Sequence, residues 1–111
     1  MQLKGREVTA DLAFPEGPIA LADGSIIVVE IAGGRLTRVS PSGKKHTIAE
    51  LGGGPNGAAI GPDGKCYVCN NGGFSWHKDD RDYLRPTGRA EDYTTGRIEQ
   101  VDIETGIVRV L

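Results

Sequence analysis

The chain has 111 residues, 38% of them hydrophobic and 25% charged, with a formal charge of −2 and a pI near 5.6. This composition suits one soluble globular domain and excludes the basic footprint of a nucleic-acid or anionic-membrane binder. No apolar run reaches the length of a membrane span. Met1–Ala10 carries Lys4, Arg6 and Glu7 and has no long apolar stretch, so a signal peptide is not expected and a cytoplasmic location is. Seventeen glycines and six prolines favour many short strands joined by tight turns.

Taken in chain order, residues 7–13 predict a first strand that stands apart from the rest. Four strand-like runs then come near 17–22, 25–31, 34–40 and 44–51. After a Gly-rich break, four more are expected near 57–61, 65–70, 96–102 and 106–111. The two sets are related by an internal repeat. Glu16-Gly17-Pro18 through Asp23-Gly24 aligns without a gap on Asn56-Gly57-Ala58 through Asp63-Gly64. Gly34-Arg35-Leu36 through Val39 likewise resembles Gly96-Arg97-Ile98 through Val101. The second spacing is the longer one, which places an insertion over residues 71–95.

Asp-Gly between two apolar runs is a strong hairpin signal, because the turn needs positive φ. Four short antiparallel strands in a repeat of this size make a β-propeller blade. A solenoid repeat of this length would be helical, and helical periodicity is absent. The predicted fold is therefore all-β: two four-stranded blades of a propeller, at 14–51 and 54–111, with residues 7–13 as a strand that closes the ring against a last blade. Propellers have four to eight blades, so the remaining blades are expected in a longer chain or in other copies of this one.

A blade's first and second strands run in opposite directions. Glu16 and Asn56 open the innermost strands, while Glu30 and Asn70 end the second strands, so all four belong to one end of the blades, as does the insertion. Carboxylate and amide oxygens suit a hard cation such as Ca²⁺ or Mg²⁺; equally, such side chains cap turns. The insertion holds the only tryptophan, Trp76, together with His77, which is open to reading as a general acid, a metal ligand or a solvated residue. Asp79, Asp80 and Asp82 lack the glycine and terminal glutamate of an EF-hand loop. Cys66 and Cys69 form C-x-x-C, but three residues apart on a strand they point to opposite faces, so two reduced structural cysteines are expected rather than a zinc or redox pair. His46, beside Lys44 and Lys45, is expected at the surface.

Phe14-Pro15-Glu16-Gly17-Pro18, Pro55-Asn56-Gly57 and Pro62-Asp63-Gly64 continuing to Phe74 together resemble the gluconolactonase / senescence-marker-protein (regucalcin-like) family. The resemblance runs from about residue 11 to the end and corresponds to the first third of a family member. It implies a six-bladed propeller that hydrolyses sugar lactones with one divalent metal, usually calcium, with Mg²⁺, Mn²⁺ and Zn²⁺ as alternatives. It implies that Glu16 is a metal ligand and that Asn56 lies at the metal or the substrate. Asn70, Asn71, Trp76 and His77 resemble the loop over the substrate pocket. The family's other ligands, an asparagine and the aspartate assigned as general base, come from later blades and have no counterpart here. Two rival functions stay open: a hydrolase of phosphoesters or aryl esters on the same scaffold, and a propeller that binds a partner without catalysis.

Overall fold

A computed structural model describes residues 2–111. Those residues form strands β1 (Pro15–Ala20), β2 (Ile26–Glu30), β3 (Arg35–Val39), β4 (Lys45–Glu50), β5 (Pro55–Ile60), β6 (Cys66–Asn70), β7 (Phe74–Lys78), β8 (Leu84–Arg89), β9 (Arg97–Val101) and β10 (Val108–Val110), and no helix. Accordingly, the described residues contain no helix long and apolar enough to cross a membrane.

The strands make two antiparallel sheets of four, ordered β1-β2-β3-β4 and β10-β9-β6-β5. This is the organisation expected of propeller blades. The insertion is a separate hairpin, β7-β8, rather than an irregular loop.

The repeat is visible down to single hydrogen bonds. Gly24 and Gly64 adopt φ of 86° and 79° in the two Asp-Gly turns. Asp23 accepts the Ser25 N–H at 2.9 Å, and Asp63 accepts the Lys65 N–H at 3.0 Å. Each turn is closed by matching backbone pairs, Leu21 N to Ser25 O at 2.8 Å and Gly61 N to Lys65 O at 2.9 Å. The short acidic side chain takes over a backbone acceptor role and lets the chain reverse within a few residues.

Strand alternation builds the core. Ile27, Val29 and Leu36 of the first sheet and Cys66, Val68 and Val101 of the second are all completely buried in one cluster between the sheets. Each such aliphatic side chain contributes roughly 1.5–3 kcal/mol through burial. Cys69, on the opposite face from Cys66, is exposed, and neither cysteine is bridged. Burial pushes the Cys66 thiol up to about 11, so it stays protonated.

The strand expected over residues 7–13 is not among the ten. The segment instead lies along the first sheet without ladder pairing. Thr9 Oγ1 donates to the Gly43 carbonyl at 2.9 Å, Lys45 Nζ donates to the Ala10 carbonyl at 2.6 Å, and Ala13 N–H donates to Glu30 at 2.8 Å. Val28 and Thr37 pair on the face turned away from the interface between the sheets, and both are buried.

Candidate active site

The two innermost strands meet backbone to backbone. A Cβ added to Gly17 would lie 3.4 Å from the Gly57 Cα, in van der Waals contact, so β1 and β5 run close together here. Gly17 also has φ of 54°, in the left-handed region that favours glycine.

Both strands are irregular near their starts: the bulge in β1 follows Glu16, which stays paired with Val29, whereas the bulge in β5 is at Asn56 itself. The β1-β2 register shifts between Glu16 and Ile19, and the β5-β6 register shifts between Pro55 and Gly57. Asn56 is thereby left out of the ladder. Bulges of this kind turn a side chain away from the regular pleat and are frequent next to active sites. Glu16 and Asn56 are both exposed. Among the described residues, Glu16 accepts one bond, from its own neighbour Gly17 N–H at 3.2 Å, and no hydrogen bond forms on the Asn56 amide. Their oxygens are therefore available.

Glu30 and Asn70 behave differently. Both lie on the inward or covered side of their strands and are almost wholly buried, at 2% and 4% exposure. The Asn70 carbonyl oxygen accepts the N–H groups of Gly54 at 2.9 Å and Gly72 at 3.0 Å, while its Nδ2 donates to Gly52 O at 3.0 Å and Glu99 at 2.8 Å. All four bonding positions of the amide are used, so Asn70 has none left for a substrate. It fixes the turn that leads into the β7-β8 hairpin. Arg97 Nε neutralises Glu99 at 3.2 Å, and Arg97 Nη2 donates to the Leu51 carbonyl at 2.7 Å. In the first sheet the corresponding group is Glu30 with Thr37, Arg35 and Ala13 N–H.

Asn71 is half-buried. Its Oδ1 accepts the Gly73 N–H at 2.7 Å, and its Nδ2 is buried without a partner. Such a donor is uncommon in a folded protein.

The hairpin reaches back to the first sheet through aromatic rings. Trp76 packs on Phe14 with ring centroids 5.0 Å apart and on Phe74 at 5.9 Å in an edge-on arrangement. Phe14 stands two residues before Glu16 and has φ of 62°, unusual for a bulky residue. It is held there by the Ile31 N–H bond to its carbonyl at 2.9 Å and by the stack on Trp76. Together with Trp76, both phenylalanines of the chain enter this cluster. Motifs alone give Phe14 and Phe74 no role at the site; their scarcity, and their places beside Glu16 and within the insertion, are the signal that could find them. His77, next to Trp76, is exposed. The geometry thus gathers Glu16, Asn56, Trp76 and Phe14 around one end of the sheets and draws Asn70 into the interior.

Residues 14–104 match the family described as SMP-30/Gluconolactonase/LRE-like region. The chain belongs to that family. At family level it is gluconolactonase-like, and the all-β sheets of four strands agree with a propeller hydrolase. No curated protein matches the chain significantly.

The gluconolactonase-like assignment raises the question of a metal. The donor chemistry fits a hard cation in kind: one carboxylate and one amide oxygen, both exposed, on adjoining strands. It falls short in number, because Ca²⁺ takes six to eight oxygens. Among the described residues, no group of three or more His, Cys, Asp or Glu side chains is placed to hold a metal ion.

Proposed function

We propose that this chain contributes the opening part of a metal-dependent lactone-hydrolase site, with Glu16 as a metal ligand and Asn56 as a ligand or substrate-orienting amide. The supporting observation is that these two side chains hold equivalent places in the repeat and are both exposed, beside register shifts in two strands whose Gly17 and Gly57 lie close together. A structural cap would be expected to spend its oxygens on backbone N–H groups across a turn, as Asp23 and Asp63 do; Glu16 reaches only the adjacent Gly17 N–H, and Asn56 accepts none among the described residues.

When bound, a divalent cation such as Ca²⁺, Mg²⁺, Mn²⁺ or Zn²⁺ supplies Lewis-acid polarisation of the lactone carbonyl. The chain's own side chains do the rest of what it can offer. Glu16 brings negative charge to hold the cation. Trp76 and Phe14 form an apolar wall that suits the ring face of a sugar lactone. His77 follows Trp76 on β7 and so presents an exposed polar group on the other face of the hairpin, and Asn71 Nδ2, buried without a partner, is a donor near the same loop. The general base and the missing ligands belong to further blades, in the same polypeptide or in other copies. Two unbridged cysteines suit a reducing, cytoplasmic setting.

Calcium titration by calorimetry, run beside light scattering for the assembly state, tests the reading. Glu16→Ala is expected to lower calcium affinity at least about 100-fold, since it removes the one charged ligand of the pair. Asn56→Ala should cost less. Unchanged affinity in Glu16→Ala would overturn the metal assignment. Preference for aryl esters or phosphoesters over sugar lactones in the assembled enzyme would overturn the substrate class.

A further inference from the structure

At the other end of the first blade lies a cavity that the lactonase reading does not use. It has a volume of about 300 Å³ and is lined by Ser25 and Arg38, by the β3-β4 turn at Ser40 and Pro41, and by Lys44, Lys45 and His46. Asp23, in the β1-β2 turn, completes the wall. Glu16 opens β1 and Asp23 follows its end, so the cavity is roughly 15 Å or more along the strand from the candidate active site.

The charge of this cavity is opposite to that of the whole chain. The protein carries −2 overall, yet three permanent cations line one small space. The single acid present is already matched. Arg38 Nη2 lies 2.9 Å from Asp23, and Arg38 Nε donates to Ser25 Oγ at 3.0 Å. Nη1 of Arg38 is left uncommitted by these bonds. Lys45 Nζ donates to two carbonyls, of Ala10 and Asp11, which leaves its charge unneutralised. Lys44 forms no ion pair among the described residues. With Arg38 and Asp23 cancelling, the cavity has an excess of two positive charges.

The donors are held on a stiff frame. The Lys44 N–H donates to Ser40 Oγ at 3.1 Å, and the Gly43 N–H donates to the Ser40 carbonyl at 2.8 Å, so the turn that carries Lys44 is tied at both ends. Pro41 packs over the neighbouring turn, and a Cβ on Gly24 would lie 3.3 Å from its ring. The volume is at the lower limit for a small-molecule site.

We propose that this cavity binds a phosphate dianion, free or as the head of a phosphorylated small molecule. Two excess charges match the dianion that a phosphate monoester carries above its second pKa, near 6. Lys44 and the free Arg38 Nη1 would make charge-assisted bonds to its oxygens, which are the stronger kind. Lys45 supplies field, and His46 adds a ring nitrogen at the rim.

Backbone-amide shift titration with inorganic phosphate at pH 7.5 and low ionic strength tests this, with sodium chloride at equal ionic strength as the control. Saturable shifts confined to Ser25 and residues 38–46, about tenfold weaker in Lys44→Glu, are expected. A tighter response to glycerol phosphate than to inorganic phosphate would identify the monoester as the occupant; equal responses would identify the free ion. Shifts that chloride reproduces, that never saturate, or that survive Lys44→Glu unchanged would overturn the proposal. Lys44→Glu is expected to leave calcium binding intact, so failure here is separable from failure of the lactonase reading.

Discussion

The two blades are built on one repeat, yet they solve the same interior problem with opposite chemistry. In the first, the buried group at the end of the second strand is an acid, Glu30, which accepts from Thr37, Arg35 and the Ala13 N–H. In the second it is an amide, Asn70, and the acid has moved to the neighbouring strand as Glu99. The difference arises from what each must hold. Glu30 meets donors alone. Asn70 must accept from Gly54 and Gly72 while donating to Gly52 and Glu99, and only an amide does both. The second blade carries the insertion, and its amide is the clamp at the insertion's root.

That contrast can be broken most sharply by isosteric exchange. Asn70→Asp places a second carboxylate against Glu99 and a carbonyl, and should cost about 3–5 kcal/mol at pH 7 in urea unfolding. Part of that loss should return as the pH falls, because the new carboxyl, its pKa raised by Glu99, folds best when protonated. Glu30→Gln, whose amide can donate to a rotated Thr37 hydroxyl, should cost only about 1 kcal/mol. Equal costs would show the two clusters to be interchangeable.

A smaller effect separates Gly17 from its repeat partner Gly57. Gly17→Ala puts a Cβ into positive φ and against the second blade, at about 1–2 kcal/mol. Gly57 has open space around an added Cβ, so Gly57→Ala should lower stability by no more than about 0.5 kcal/mol. Comparable losses in urea unfolding would mean that strand contact, not backbone conformation, dominates at both positions.

The smallest expected effect lies in the two Asp-Gly turns. Hydrogen bonds from Ser25, then Arg38, hold Asp23 down at about 2, and Tyr67, then the Lys65 N–H, hold Asp63 below the usual range. Both folded pKa values are depressed, so the stability these carboxylates add is present above the unfolded pKa near 3.8 and fades as the pH falls through the folded values, about 2 for Asp23. Carboxyl NMR titration should show Tyr67→Phe raising Asp63 while Asp23 keeps its low midpoint. An unmoved Asp63 would shift the cause to the backbone bond.

Much of this organisation is legible in residue order. The spacing from Glu16 to Asn56 reveals the repeat, and Asp23-Gly24 and Asp63-Gly64 mark the turns, because both depend on local conformation. The inward aim of Asn70 is also accessible: it shares strand parity with Cys66 and Val68, both of them buried. Its place among loop-like asparagines points instead to substrate contact, whereas in the structure its amide is engaged by Gly52, Gly54, Gly72 and Glu99. The bulges after Glu16 and at Asn56 depend on register between strands, which no local pattern encodes. The hairpin in the insertion lacks clean alternation, and the Phe14–Trp76 stack joins residues far apart in the chain. Residues 7–13 read as a strand from their composition, but strand pairing needs a partner edge, and here side-chain bonds to Lys45 and Glu30 hold the segment.

The contact between Trp76 and Phe14 has a practical consequence. Trp76 is the chain's single indole, and its environment is set by a ring two residues from Glu16. Its emission is therefore a native optical probe of the hairpin's position, free of interference from any other tryptophan. Lifting the hairpin would hydrate the indole and red-shift its fluorescence, making opening and closing over the strand ends measurable in unlabelled protein.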